Sequence, residues 1–184
     1  MIHLDLFEKY YVGFYQNEER VNLKISIIYY SKTGKTKTMA EETAKGMESV
    51  DGVEVRLFDL ENIDMDFFNA SQAVVFGTPT YYANVCWQIK KWFDEGGRYN
   101  LAGKLGAAYA TANVQQGGGS VAITTLLQHM MVKGMMVYSG GTANGQPFIH
   151  LGAVGLRDTF EEDKEMFRVF GQRIAAKAVE LFEK

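Results

Sequence analysis

Two patterns of apolar residues alternate along this chain. Five short runs are almost continuously apolar, which is typical of strands that are buried on both faces of a parallel sheet. They span residues 23–30, 53–58, 73–77, 105–111 and 135–139. Segments with helical spacing separate most of these runs. The alternation predicts an α/β domain of three layers, in which helices cover both faces of a doubly wound, five-stranded parallel sheet.

Apolar positions three and four residues apart predict the helices of the outer layers. The positions are Ala40, Ala44 and Met47; Cys86, Ile89 and Phe93; Ile123, Leu126, Leu127 and Met130; and Phe167, Phe170, Ile174, Ala178 and Leu181. Residues 60–69 show no clear full-length helix. With no linker or repeat after residue 22, the sequence predicts a single domain over residues 23–184.

Residues 1–22 stand apart from this pattern. Leu4, Phe7, Tyr11 and Phe14 would form one aromatic stripe on a short amphipathic helix. The sequence therefore predicts an N-terminal extension, which packs either on the domain or on a second subunit.

Charge and cysteine content narrow the class of protein. A net charge of -3 argues against a nucleic-acid partner. The single cysteine, Cys86, excludes an internal disulfide and fits a reducing compartment. The three histidines are far apart and have no carboxylate at ligand spacing, so no metal site is expected. No run is long enough to span a membrane, and the N-terminus lacks the basic start of a signal peptide, which predicts a cytoplasmic protein.

The turn after the first predicted strand is rich in hydroxyl groups. Ser31, Thr33 and Thr36 supply hydroxyls, and Gly34 precedes a new helix whose N-terminal N–H groups attract anions. This arrangement predicts a phosphate site. A Walker A loop would need glycine where Tyr29 stands, so a P-loop NTPase is disfavoured. An ordinary capped turn remains the alternative on this motif alone.

Two further loops are expected at the same edge of the sheet, because ligands of such folds bind beyond the carboxyl ends of the strands. The loop at residues 77–84 carries Pro79, Tyr81 and Tyr82, which offer flat, polar-tipped surfaces. The loop at residues 111–120 contains three consecutive glycines that expose amide donors. Its glycine pattern also matches a Rossmann fingerprint, but no acidic residue occurs between Glu95 and Asp158 to bind a ribose.

These three loops, in this order and spacing, resemble those of the flavodoxin-like flavoproteins. Within that group they are most similar to the Trp repressor-binding-protein type, the FMN-dependent NAD(P)H:quinone oxidoreductases. The resemblance covers nearly all of residues 23–184 and implies a sheet with strand order 2-1-3-4-5.

The resemblance also implies FMN as cofactor and assigns it three sets of residues. The phosphate set is Ser31, Lys32, Thr33, Gly34, Lys35 and Thr36. The set beside the ribityl chain and the ring is Pro79, Thr80, Tyr81, Tyr82 and Asn84. The set along the pyrimidine edge is Thr111, Ala112, Asn113, Val114, Gln115, Gln116, Gly117 and Gly118. Lys133 stands where the family has a histidine near the flavin, and Tyr99 is the counterpart of an aromatic residue on the substrate side, so both are candidate catalytic residues.

The function implied is two-electron transfer from NADH or NADPH, through FMN, to a quinone or a similar flat acceptor. The span from residue 96 to residue 157 has no acidic residue but contains Arg98, Lys104, Lys133 and Arg157, which favours this reaction and an anionic nicotinamide substrate. A one-electron carrier of the flavodoxin type and a non-catalytic flavin-binding interaction protein are the alternatives. The chain lacks a long insertion between strands two and three, so we expect a homodimer rather than a tetramer.

Overall fold

The computed structural model describes residues 22–183, which form one seven-stranded sheet with helices on both faces. The strands are β1 (Leu23–Tyr29), β2 (Val53–Asp59), β3 (Ala73–Tyr81), β4 (Asn84–Val85), β5 (Leu105–Ala112), β6 (Met136–Val137) and β7 (Ala153–Leu156). The helices are α1 (Lys35–Glu48), α2 (Met65–Ala70), α3 (Trp87–Glu95), α4 (Gly119–Val132) and α5 (Phe160–Phe182). The predicted N-terminal helix falls on residues 1–21, outside the described part of the chain.

The centre of the sheet is parallel and has the order β2-β1-β3-β5, which confirms the predicted fold class. At the middle of β1, Ile27 pairs with Leu57 of β2 on one side and with Val75 of β3 on the other. Ile27 and Val75 have no solvent exposure. Burial of both faces explains why the central strands β1 and β3 are mostly apolar in the sequence.

The fifth position of the sheet is divided between two short strands. Met136 of β6 pairs with Leu105 at the start of β5, whereas Ala153 of β7 pairs with Tyr109 nearer its end. Residues 138–152 leave the sheet between them. The single fifth strand predicted at residues 135–139 is therefore wrong. It is cut to two residues, and the second piece of the edge comes from a later segment.

The segment that leaves the sheet is fastened to α5 by one side chain. The guanidinium of Arg173 donates hydrogen bonds to five backbone carbonyls at 3.0–3.3 Å. The acceptors are Gly141, Asn144, Gly145, Gln146 and Pro147. Nη1 contacts two of these carbonyls and Nη2 the other three, so the four N–H bonds of the planar fork serve five acceptors, which the three N–H bonds of an ammonium could not do in this arrangement.

Helices α1 and α5 cover one face of the sheet and approach each other at two glycines. A Cβ atom on Gly46 would lie 1.9 Å from the carbonyl oxygen of Arg168, and one on Gly171 would lie 2.0 Å from that of Thr43. Any larger residue would push the helices apart. The close approach fixes α1, whose first turn forms part of the site below.

Helices α2, α3 and α4 cover the other face. Trp92 of α3 is 8% exposed and packs on Phe76, whereas Trp87 at the start of that helix is 65% exposed. Residues 60–69 showed no full-length helix in the sequence, and the short helix α2 begins within them, directly after Asp64. The Asp64 carboxylate caps it by accepting from the N–H groups of Asp66 and Phe67.

Candidate functional site

The first component of the site is the N-terminus of α1, directly after β1. Gly34 is its N-cap with φ 88°, and no side chain caps the helix there. The Oγ of Ser31 accepts from the N–H of Lys37 at 3.1 Å, which takes up one N–H group of the first turn and leaves those of Lys35 and Thr36. Those N–H groups and the positive end of the helix dipole remain available to an anion.

Two buried hydroxyl contacts fix this turn to β5. The Oγ1 atoms of Thr36 and Thr111 lie 2.9 Å apart, and the hydroxyl of Tyr109 donates to the carbonyl of Thr36 at 3.0 Å. Burial raises the pKa of Tyr109 well above its ordinary value, so the phenol keeps the proton that it donates. Sequence reasoning missed Tyr109, because a tyrosine inside an apolar strand has the same signal as any core aromatic residue.

The second component is the loop between β3 and β4. The Oγ1 of Thr78 donates to the carbonyl of Pro79 and accepts from the N–H of Cys86, which holds both ends of the loop. Tyr82 and Ala83 have positive φ values of 48° and 61°, a strained conformation for residues with side chains. Such strain persists only where neighbouring structure imposes it.

Two tyrosines of this loop differ in their surroundings. Tyr81 is 38% exposed, and burial, followed by the neighbouring Tyr30, raises the pKa of its phenol. Tyr82 is fully exposed, at 105% of its reference area. Tyr81 is therefore the tyrosine whose ring can serve as a wall of the site.

The third component, the glycine-rich loop, packs directly against the second. Gly118 has φ 87°, and a Cβ atom there would lie 2.5 Å from the Cα of Ala83. Asn84 also joins the two loops, because its Oδ1 accepts from the Thr125 hydroxyl of α4 at 2.9 Å. Contact with Gly118 explains why the strained Tyr82–Ala83 turn is maintained.

The three components enclose one cavity of about 180 Å³. Its lining consists of Lys32, Thr33, Lys35, Thr36, Pro79, Thr80, Tyr81, Thr111, Ala112 and Asn113. All these residues belong to the predicted set. The other predicted residues do not line it. Ser31 and Gly34 shape the phosphate turn, Asn84 and Gly118 make contacts between segments, the N–H of Gly117 donates to the carbonyl of Val114, and the remaining ones are exposed: Tyr82, Val114, Gln115 and Gln116.

The chemistry of the lining fits a flavin nucleotide. Two lysines and a helix N-terminus suit a phosphate, and the Tyr81 ring suits a flat aromatic group. The buried Oγ1 of Thr80, which lines the cavity, has no hydrogen-bond partner within residues 22–183. Such a group normally has a partner, and a polar ligand in the cavity would supply one.

Comparison with known proteins decides the family. The flavodoxin family model matches residues 27–109. A flavodoxin from Clostridium saccharobutylicum is 49% identical over 160 residues, which is 87% of this chain and 100% of the relative. The chain belongs to the flavodoxin family. A solved archaeal flavodoxin has a TM-score of 0.70 and 26% identity, over 85% of this chain and 99% of the other.

Membership of the flavodoxin family bears on both cofactor and activity. Flavodoxins bind FMN, which confirms the predicted cofactor for the family. The predicted NAD(P)H:quinone oxidoreductase is wrong. An NAD(P)H dehydrogenase (quinone) from Chromohalobacter salexigens matches 86% of this chain and 98% of its own, but at only 29% identity against 49% for the flavodoxin.

That prediction relied on the absence of acidic residues between residues 96 and 157, which suggested a basic surface around the cofactor. The structure places these basic residues differently. Lys104 precedes β5, at the opposite edge of the sheet, and its ammonium donates to the carbonyls of Asn69 and Ser71. Arg157 pairs with Asp158 at 3.0 Å. A span without acids in the sequence is therefore not a basic surface around the cofactor.

The two candidate catalytic residues also lie away from the cavity. Lys133 follows the C-terminus of α4, whose N-terminus is at the site, so the length of the helix separates it from the site by about 20 Å. Tyr99 stacks on Trp92 with ring centroids 4.4 Å apart and lines a different groove. Neither residue is placed to act on a flavin in the cavity.

Within residues 22–183, no group of three or more His, Cys, Asp or Glu side chains is arranged to hold a metal ion. No helix in that range has the length and apolar character needed to cross a bilayer.

Proposed function

We propose that this protein is an FMN-containing electron carrier that passes electrons singly between redox proteins. The observation that carries this proposal is the convergence of residues 32–36, 79–81 and 111–113 on one cavity. The 49% identity to a flavodoxin along that relative's whole length supports carriage rather than turnover of a substrate. FMN supplies the redox chemistry, since its ring takes up electrons one at a time or in pairs.

The phosphate end is bound by the first turn of α1. Ser31 takes up the N–H of Lys37, so the N–H groups of Lys35 and Thr36 remain for the anion, and Lys32 and Lys35 line the cavity. The buried Thr36–Thr111 contact prevents this turn from moving relative to β5. The anion is therefore held by donors that are in place before it arrives.

The ring end is bound between the tyrosine loop and the glycine-rich loop. Tyr81 offers a ring face, and the hydroxyl of Thr80 donates to a polar atom of the ligand. Thr111, Ala112 and Asn113 line the same region, where hydrogen-bond donors of this loop would stabilise negative charge on a reduced ring. The packing of Gly118 on Ala83 sets the distance between these two loops.

Stepwise reduction of the bound FMN tests this proposal. Photoreduction of the FMN-loaded protein is expected to build up an electron paramagnetic resonance signal from an unpaired electron before the flavin bleaches fully. NADH or NADPH alone should not bleach the flavin band, while addition of a flavodoxin reductase with NADPH should.

The opposite results would overturn the proposal. Direct bleaching by either nucleotide, with reoxidation by benzoquinone and no radical signal, would indicate a two-electron enzyme. Failure of the protein to bind FMN would indicate an interaction module. The predicted homodimer and cytoplasmic location stay predictions, which light scattering and cell fractionation can test.

A further inference from the structure

A second cavity lies away from the flavin site, on the face of the sheet covered by α2 and α3. It is a half-open groove of about 460 Å³, lined by Leu60, Glu61, Ile63, Met65, Trp92 and Tyr99. No lining residue is shared with the cavity between the three loops. Its size falls within the range of about 300–1,000 Å³ that is usual for small-molecule sites.

One wall of the groove is aromatic. Trp92 and Tyr99 stack with their ring planes 15° apart, and Phe68 meets Trp92 edge-on at 6.4 Å. The aliphatic side chains of Leu60, Ile63 and Met65 complete the apolar lining. A groove lined by aromatic rings and aliphatic side chains suits a flat ring system.

The aromatic wall contains a hydrogen-bond donor that lacks an acceptor. Trp92 is 8% exposed, and its indole Nε1 is buried with no partner within residues 22–183. A buried N–H group without an acceptor is rare in folded proteins. Because the nitrogen itself is covered, a ligand reaches it by displacing a lining side chain, and the flexible Met65 is the one best able to move.

The mouth of the groove carries a negative charge. Glu61 is exposed there, and its backbone N–H donates to the Asp59 carboxylate, which adds a second acid nearby. These carboxylates would repel an anion. A ligand of this groove is therefore uncharged or cationic.

We propose that the groove formed by Leu60, Ile63, Met65, Trp92 and Tyr99 binds a small flat heteroaromatic molecule, neutral or cationic, whose ring acceptor atom takes the indole N–H of Trp92. This ligand is distinct from the flavin. Binding here does not depend on the proposed electron carriage, because the two cavities have separate linings.

The test uses the FMN-loaded full chain labelled with nitrogen-15. The chain has two tryptophans, so its spectrum contains two indole N–H signals, and Trp87→Phe assigns the one from Trp92. Quinoline is the probe, because it is flat and carries one acceptor nitrogen. Naphthalene has the same shape without the acceptor, and quinoline-4-carboxylate adds the negative charge.

Quinoline is expected to move the Trp92 indole proton downfield in a saturable manner. It should bind about three to ten times more tightly than naphthalene, as one hydrogen bond allows. Quinoline-4-carboxylate should bind more weakly than quinoline, and Glu61→Gln should recover part of that loss. An unmoved Trp92 signal, or equal binding of naphthalene, would overturn the proposal, as would release of FMN during the titration.

Two variants serve as controls. Trp92→Phe removes the donor and should reduce quinoline binding to the level of naphthalene. If that variant does not fold, Ile63→Trp narrows the groove from its loop side and should weaken both probes. Unchanged quinoline binding in Ile63→Trp would place the probe elsewhere and refute the site.

Discussion

The side-chain hydroxyls of Thr36 and Thr111 form a buried hydrogen bond, 2.9 Å long, between the first turn of α1 and the end of β5. Thr111→Val should lower the free energy of unfolding of the apoprotein by about 1–3 kcal/mol, because it leaves the buried Thr36 hydroxyl without its partner. Urea denaturation measures this loss. The double variant Thr36→Val/Thr111→Val should cost less than the sum of the single variants, and strict additivity would contradict the coupling.

Gly118 tests whether contact between the two loops sets the flavin site. Gly118→Ala should weaken FMN binding by more than tenfold, because its Cβ would lie 2.5 Å from the Cα of Ala83. The matched control is Gly145→Ala, since Gly145 has φ 79° but nothing within 4 Å of the added carbon. Both variants carry the strain of a left-handed alanine, about 1–2 kcal/mol. Equal FMN affinity in the two variants, measured by flavin fluorescence, would argue against the contact.

The phosphate contact can be separated from the ring contacts by comparing FMN with riboflavin. Lys32→Ala should weaken FMN binding by about two- to tenfold, as expected for loss of one solvent-exposed charge contact, and leave riboflavin binding unchanged. Lys133→Ala is the control, because that residue lies beyond the far end of α4. An equal loss for both flavins in Lys32→Ala would mean that Lys32 does not contact the phosphate.

Glu42 of α1 should make the free energy of unfolding depend on pH in the acidic range. Burial opposes its ionisation, but hydrogen bonds and charges from Lys45 and Arg168 outweigh burial, so the pKa of Glu42 is lowered. A carboxyl group with a lower pKa in the folded state binds fewer protons there than in the unfolded chain. Glu42 therefore makes its full contribution to stability above its pKa in the unfolded chain, about 4.3. This contribution is lost as the pH falls through its pKa in the folded state.

The corresponding measurement is the urea midpoint at pH 7 and at pH 3.5. Wild type should lose more stability between these values than Glu42→Gln does. Glu161→Gln should behave like wild type, because Glu161 is 78% exposed in its pair with Lys164. If Glu42→Gln and wild type lost the same stability between pH 7 and pH 3.5, the proposed role of this carboxylate would be refuted.

Strands buried on both faces were predictable from the sequence, and the divided edge was not. The runs that became β1 and β5 differ from the structure by one residue at most, because nearly all positions there are buried and most are apolar. The apolar run at residues 135–139 predicted a buried strand, but Met136 and Val137 of β6 are 44% and 37% exposed, so apolar character overstated the length of this strand. In β7, four residues with a glycine among them are too few to show a period.

Part of the candidate site could likewise be predicted from the sequence, and part could not. Loops after the parallel strands meet at one edge because of topology, so the residues that line the cavity could be predicted from their place in the chain. The prediction of Lys133 as a catalytic residue failed, and so did the basic surface inferred from the acid-free span. Sequence position does not say at which end of a helix or strand a charged side chain lies. Tyr109 and the contact of Gly118 with Ala83 depend on packing between distant segments, which no local pattern reports.

The hydrogen bonds from Arg173 to residues 141–147 have only main-chain oxygens as acceptors. Every amino acid presents such an oxygen, so these hydrogen bonds do not depend on the side chains of the segment, and only the left-handed Gly141 and Gly145 restrict substitution. The remaining side chains can therefore change while Arg173 of α5 preserves the course of the backbone.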